Sequence, residues 1–472
     1  MAGLYLFLAL QCRLSALAAD APPLSESLNR LLDDPRLKRA AVSVRVLDLA
    51  GRKVLYDRDG DRLMIPASNV KLFTTAAALV RLSRNFEFRT FVGRAGSDLV
   101  VVGGGDPTIG ARSKGDPYPQ EFRDWAGVLK ARGIRRIDGD LVVDDAWFDD
   151  QYVHPNWPRP QLHLWYCAPV AALVLGENCV QVLAQPGSKV GDPAQLSLVP
   201  RSDRLELRGS VRTVSSRSAH LWSLYRSPGS TTILAGGSFW LRAMPASAEV
   251  TVDDPPLYFG SALKASLQAE GIDVRGTVRR RPGAGRERSF QPLLTHCTPL
   301  LPVLEVTNKE SQNLYAEQLF KTLGAVEGSG SWPGGRKTIE QILHKNVGLP
   351  LGDFVLDDGS GLSKQNRLSA AQLTRLLQWL FDRPEGELFR ATLAVAGSDG
   401  TLERRFTAPA LQGRIFAKTG SLSAVRALSG YVQTADGRWL AFSFLVNDCP
   451  RAVKDLQDRF CRILVGADGP EK

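Results

Sequence analysis

Histidine is scarce in this chain. There are five in 472 residues (His154, His163, His220, His296 and His344), with no H-x-x-x-H or H-x-H spacing. A histidine-built metal site is therefore not expected. No G-x-S-x-G elbow is present, which argues against a Ser-His-Asp hydrolase. Gly103-Gly104-Gly105-Asp106-Pro107 lacks both a P-loop lysine and the G-x-G-x-x-G pattern, so it reads as a tight turn and not a phosphate cradle. After the N-terminus no apolar run reaches the roughly 18 residues of a membrane span. An acidic excess is also missing: the formal charge is +10. A basic surface suits an anionic wall polymer or lipid headgroups, but general solubility is the plainer reading. The densest basic run, Arg279-Arg280-Arg281 with Arg286 and Arg288, is broken by Pro282, Gly283 and Gly285. It reads as a solvated turn between strands, so nucleic-acid binding is not expected.

Cysteine is sparse too, with six residues. The first ten residues are apolar, and Ala16-Leu17-Ala18-Ala19 supplies an A-x-A cleavage site. Residues 1–18 are thus read as a signal peptide, although no Lys or Arg precedes the apolar run and Arg13 interrupts it. Cleavage there removes Cys12 and leaves five cysteines. Cys167 and Cys179 bracket a segment containing Pro169 and Gly176, and a loop disulfide between them is open. Cys449 and Cys461 flank an expected helix at about 451–464. Twelve helical residues span about 18 Å, too far for disulfide Cα atoms that must lie within about 7 Å.

What is present is an ordered set of three motifs. Ser68-Asn69-Val70-Lys71 reads as SxxK, Ser311-Gln312-Asn313 as SxN, and Lys418-Thr419-Gly420 as KTG. Together they are the signature of penicillin-recognising acyl-serine enzymes. A serine hydroxyl needs a nearby base. In SxxK that base is Lys71, if it is desolvated or crowded by another positive charge, which Lys418 can supply. Ser311 is placed to relay a proton to the leaving amine, and Asn313 to hold Lys71 and a substrate amide. Lys418 and Thr419 suit a substrate carboxylate, and Gly420 lets substrate backbone run along the strand edge. Backbone N–H groups of Ser68 and Ser421 are assigned to the oxyanion hole.

S-x-x-K arises about once by chance in a chain this long, and Ser261-Ala262-Leu263-Lys264 is a second copy. Ser27-Leu28-Asn29 is likewise a decoy S-x-N. Context separates them: Ser68 opens an apolar helix over 70–82, Ser311 opens another segment of helical spacing, and Lys418 ends a strand. Asp357-Asp358-Gly359-Ser360-Gly361 reads as a structural turn near the cleft.

Ser68 and Ser311 are 243 residues apart, with β-rich sequence between them. That stretch reads as an insertion with its own core. A hairpin over 41–56, helices after residue 311 and strands at 414–445 complete the picture. It is an α+β multidomain protein: a β-lactamase/transpeptidase-like domain (19–87 and 292–472), an antiparallel sheet with helices, carrying an inserted β-rich region (88–291).

At this point the chain resembles the D-alanyl-D-alanine carboxypeptidase/endopeptidases of the DacB type, the class C low-molecular-mass penicillin-binding proteins of peptidase family S13. The likeness extends through Gly105-Asp106-Pro107-Thr108, Gly139 to Asp145, Ala168 to Leu173, Asp358 to Ser363, Gly397 to Leu402 and Ala417 to Leu422. The resemblance implies a transpeptidase-like domain I, domain II inserted in it and domain III nested in domain II. It implies a periplasmic enzyme that trims D-Ala-D-Ala termini and cuts cross-links of peptidoglycan stem peptides through an acyl-enzyme. It also implies acylation by β-lactam antibiotics, and neither a metal nor an organic cofactor. Carried onto this chain, Ser68 is the nucleophile, Lys71 its base, Ser311 the proton shuttle, and Asn313, Lys418, Thr419, Gly420 and Ser421 the substrate-binding set. The resemblance also supports a Cys167–Cys179 disulfide. A β-lactamase and a non-catalytic peptidoglycan-binding protein are the alternatives. The former lacks an identifiable deacylating base, and the latter has no need of Ser68, Lys71, Ser311 and Lys418 together. Loose membrane association is left open, as is oligomeric state.

Overall fold

A computed structural model describes residues 23–111, 118–281, 290–449 and 452–466. The expected signal peptide (1–18) and Arg286 and Arg288 lie outside the described residues. At the centre is a six-stranded antiparallel sheet, in the order Ala394–Val395, Ile415–Leu422, Val425–Gln433, Trp439–Asn447, Ala41–Asp48 and Lys53–Arg58. Both ends of the chain thus complete one sheet, and the expected hairpin over 41–56 forms its edge.

Period-two alternation sorts that sheet's side chains into two cores. Leu47, Ala427, Tyr431, Ala441 and Leu445 face a core shared with the helices Val70–Leu82, Asn313–Ala325 and Ala370–Phe381. Val44, Val46, Leu428, Phe442 and Phe444 face the helices Leu24–Leu32 and Lys454–Val465. Helices on both faces of an antiparallel sheet make the α+β layering. Ser369 caps Ala370–Phe381 in a reciprocal box with Gln372.

The middle of the chain builds separate sheets. A five-stranded mixed sheet runs Val278–Arg280, Leu141–Asp144, Asp98–Val102, Glu87–Ala95, Gln291–Pro299. Its outgoing and returning strands pair with each other, Glu87 opposite Pro299 and Arg94 opposite Gln291. Helices Gln120–Ala131 and Pro255–Ala269 cover it. Two three-stranded sheets lie beyond. Buried Arg226 ties them together, donating to Thr251 O at 2.6 Å, Thr251 Oγ1 at 3.0 Å and Asp253 Oδ1 at 3.1 Å.

Three expectations change. First, the insertion's core is not wholly its own. Phe148, Trp157, Cys167, Val170, Val174 and Cys179 pack in the same apolar cluster as the helices Val70–Leu82 and Asn313–Ala325. Second, Arg279 to Arg281 is not a solvated turn. The parallel register sets Val278 against Leu141, which brings Arg279 to Asp140 (2.7 Å) and Asp98 (2.6 Å), Arg280 to Asp145 (2.7 Å) and Arg281 to Asp144 (3.4 Å). Third, no S–S bond joins Cys167 to Cys179. Cys167 closes a 3-10 turn and Cys179 opens a strand opposite Thr251. Burial pushes the Cys167 thiol up to about 12, so little thiolate is present to exchange. No S–S bond joins Cys449 to Cys461 either; the helix runs Lys454–Val465, so it starts after Cys449 and does not supply the twelve-residue span expected between them.

Replacing Arg226 with alanine strands several buried acceptors. The expected cost is about 3 kcal/mol, read as a lower urea midpoint for Arg226→Ala.

Candidate active site

The first motif sits on a turn that leads into a helix. Ala67–Asn69 is a 3-10 turn and Val70–Leu82 continues as α-helix, so Lys71 lies one turn beyond Ser68. The turn is fastened from two sides. Asn69 is fully buried; its Nδ2 donates to Lys418 O at 3.0 Å and its Oδ1 accepts from Ser429 Oγ at 2.5 Å. Gly361, at φ +83°, packs so close that an added Cβ would lie 1.9 Å from Ala67 O. Ala67 itself has φ +46°, a conformation that non-glycine residues seldom hold without support.

Lys71 is fully buried. Its Nζ meets Asn313 Oδ1 at 2.7 Å, Ser360 O at 2.8 Å and Ser68 Oγ at 3.2 Å. Three acceptors match the three protons of an ammonium. The neutral amine has two N–H bonds and one lone pair. The two carbonyl oxygens can only accept, so they hold the N–H bonds and leave the lone pair for the Ser68 hydroxyl. Burial pushes Lys71 down to about 7, against the pull of the Glu317 and Asp358 charges.

Ser311 does not begin a helix, as its spacing suggested. It sits at φ +63°, a left-handed hinge between a π-turn over Val306–Glu310 and the helix Asn313–Ala325. The hinge sets Ser311 Oγ 2.7 Å from Lys418 Nζ, which also donates to Thr419 O at 2.9 Å. Lys418 is fully buried and well below an ordinary lysine, because of burial first and then the Lys71 charge. Burial lowers both lysines, and the mutual repulsion of two neighbouring cations acts in the same direction.

Asn313 is fixed by Tyr166 O, which accepts from its Nδ2 at 2.9 Å. Tyr166 belongs to the inserted stretch, so that stretch helps aim a site residue. Gly420 faces the Ser68 turn, where a Cβ would lie 3.0 Å from Pro66 O and 3.2 Å from Ala67 Cβ. Thr419 and Ser421 alternate to the other face of the strand; Thr419 Oγ1 donates to Thr401 Oγ1 at 3.0 Å and Ser421 is exposed. The structure thus joins Ser68, Lys71 and Asn313, joins Ser311 to Lys418, and leaves Thr419 and Ser421 at the rim. The decoys resolve as structural residues: Lys264 donates to Gly276 O at 2.6 Å, and Ser27 lies in the helix Leu24–Leu32.

Sequence reasoning missed Ser360 and Glu317. The 357–361 turn forms part of the site, since it delivers the Ser360 carbonyl to Lys71. Glu317 was detectable as a lone carboxylate four residues after Asn313 in a helix buried along its length.

A family model described as the D-Ala-D-Ala carboxypeptidase 3 (S13) family matches residues 24–464. The chain belongs to that family. It is 35% identical over 458 residues to a D-alanyl-D-alanine carboxypeptidase of Actinomadura sp. (strain R39), covering 92% of this chain and 83% of that protein. The fold matches penicillin binding protein 4 (dacB) from Haemophilus influenzae with TM-score 0.80, 24% identity, 93% of this chain and 98% of the other covered. It also matches that protein complexed with a β-lactam, with TM-score 0.75, 24% identity and coverage of 93% and 99%.

Gly361→Ala displaces Ala67 and with it Ser68. If Ser68 is the nucleophile, its reaction with benzylpenicillin should slow by about 100-fold, the usual consequence of an ångström-scale misplacement. Intact-mass time courses check this against wild type.

Proposed function

We propose that this protein is a serine DD-peptidase that removes the terminal D-Ala from D-Ala-D-Ala stem peptides of peptidoglycan and opens peptide cross-links, through an ester on Ser68. Family membership supports the carboxypeptidase activity. The observation that carries the mechanism is the Lys71 environment, in which two carbonyl acceptors leave the lone pair to Ser68. Ser68 Oγ attacks the carbonyl carbon of the penultimate D-Ala and its proton passes to Lys71. As the C–N bond breaks, Ser311, hydrogen-bonded to Lys418, protonates the leaving nitrogen. The net transfer is the Ser68 proton to the departing amine. Water then cleaves the ester and restores the serine.

Substrate has a natural berth. Among the described residues, Ile415–Leu422 pairs on its outer side only at Phe416 and Ala417, so its edge from Lys418 onward has one strand neighbour there. An extended peptide can add to that edge, with its carboxylate toward Lys418 and Thr419 and its carbonyl oxygen between the N–H groups of Ser68 and Ser421. The same pocket accepts a β-lactam, as the complex of the Haemophilus influenzae protein supports. We place the catalytic domain at 19–87 and 292–472 and the inserted domains at 88–291. The pairing of Glu87–Ala95 with Gln291–Pro299, where the chain leaves and returns, supports this division. Peptidoglycan as substrate and the apolar N-terminus favour a periplasmic location.

The test is intact mass after incubation with benzylpenicillin, with product analysis on a D-Ala-D-Ala pentapeptide and a cross-linked dimer. One adduct on wild type and none on Ser68→Ala, with D-Ala released, is expected. Absence of an adduct on wild type sinks the reading, with penicillin consumption then indicating a β-lactamase. Because Lys71 must be neutral, kcat/KM should fall about tenfold per pH unit below the Lys71 midpoint, which burial sets at about 7. A stopped-flow pH profile of acylation measures it.

A further inference from the structure

The helix that presents Asn313 also carries, one turn on, a carboxylate with no exposure to solvent. Glu317 Oε1 accepts from Ser360 N at 2.7 Å. Its Oε2 accepts from Gly359 N at 3.1 Å and from Trp332 Nε1 at 2.8 Å. On the other side of the same peptide run, Ser360 O accepts from Lys71 and Gly359 O accepts from Thr74 Oγ1 at 2.8 Å. The Gly359–Ser360 backbone is thus clamped between Glu317 and the helix that carries Lys71. Asn313 and Glu317, four residues apart, lie on one helix face, so one helix turn supplies one of the amine's two carbonyl acceptors and secures the other.

We propose that Glu317 is a positioning residue for the acylation step: it holds the Ser360 carbonyl on Lys71, which directs the amine's lone pair at Ser68, and it sets a carboxylate against the amine across the Ser360 peptide. This rests on the reading of Ser68 and Lys71 as nucleophile and base. Geometry carries this. The charges facing Lys71 are Glu317 from the Asn313 helix, Asp358 from the 357–361 turn and Lys418 from the neighbouring strand. Those facing Glu317 are Asp358, Lys71 and, on its own helix, Lys321, itself bonded to Asp149 at 2.7 Å. Glu317 is pushed up to about 7 by burial and by Asp358, while its donors pull it down. Asp358 is committed elsewhere, accepting from Gly361 N, Asn366 Nδ2, Ser363 N and Trp157 Nε1. Glu317 is the carboxylate tied to the Ser360 peptide.

Two variants separate geometry from charge. Glu317→Gln removes the charge and sets an amide donor against the Gly359 or Trp332 donor. Glu317→Asp keeps the charge but cannot span the same donors. The measurement is the single-turnover rate of Ser68 acylation by benzylpenicillin across about pH 5 to 9. In Glu317→Gln the acid limb should move to lower pH by roughly one unit, the size expected on losing a nearby opposite charge, and the plateau should fall. In Glu317→Asp the limb should stay and the plateau should fall roughly tenfold, as misplacement alone does. An unmoved limb in folded Glu317→Gln overturns the proposal, because a merely structural residue lowers the amount of active enzyme without shifting the profile. If Glu317→Gln does not fold, Trp332→Phe decides. It withdraws the indole donor, leaves Glu317 less ionised, and should move the limb the same way by less; an unmoved limb there also overturns the proposal. If wild type is not acylated at all, the peptidase reading fails and this fails with it. If wild type is acylated normally, only the role of Glu317 is at stake.

Discussion

Lys71 Nζ sits out of contact with water among three acceptors, and the two that are carbonyls decide where its lone pair points. A buried lysine in an apolar pocket would merely be neutral. Here burial lowers it and the acceptor contacts aim it. Two of the acceptors come from segments remote in sequence, the helix after Ser311 and the 357–361 turn, and the third is Ser68, one turn back. Bringing them together at hydrogen-bond precision is the constraint that the rest of the structure meets.

Much of the fold can be understood as that support. The sheet's Ile415–Leu422 strand holds Lys418 against Ser311 and, through Asn69, holds the Ser68 turn. Gly361 allows backbone to approach that turn where any side chain would collide, and Gly420 packs against it where a Cβ would be tight. The inserted stretch contributes too. Tyr166 O fixes Asn313, and Ala171 O accepts from Gln318 at 2.9 Å, so the insertion is built into the wall of the site as well as carrying its own sheets. Glu317 and Asp358 are buried in the same volume as the two lysines, and their lone pairs are occupied by backbone and indole donors. Unpaired, either set would be costly to bury.

What was legible in the sequence follows from what is local. The helix from Val70, the Ser369 cap and the hairpin over 41–56 are set by short-range pattern, and the sequence alone places them within a residue or two. The three motifs name Ser68, Lys71, Ser311, Asn313 and Lys418 because each chemistry needs a particular residue at a fixed spacing. The remainder depends on contacts across the chain. Asp140 and Asp145 neutralise the arginine run only through a parallel strand pairing that no local pattern encodes. Ser360 acts through its carbonyl, which every residue has, so no side-chain motif announces it. Glu317 did leave a trace, a lone acid on a helix face otherwise buried, but its role depends on the turn that folds back over it. The Cys167–Cys179 expectation rested on spacing and likeness, and two thiols in one apolar cluster need not be bonded.

The account turns on the protonation of one amine. Site-resolved 15N NMR titration of Lys71 Nζ in the wild-type protein measures it directly, with Lys71→Arg to assign the signal. A midpoint at about 7 is predicted. A midpoint near about 10.4, the value of an ordinary solvated lysine, would contradict a Lys71 amine neutral and aimed at Ser68 at neutral pH.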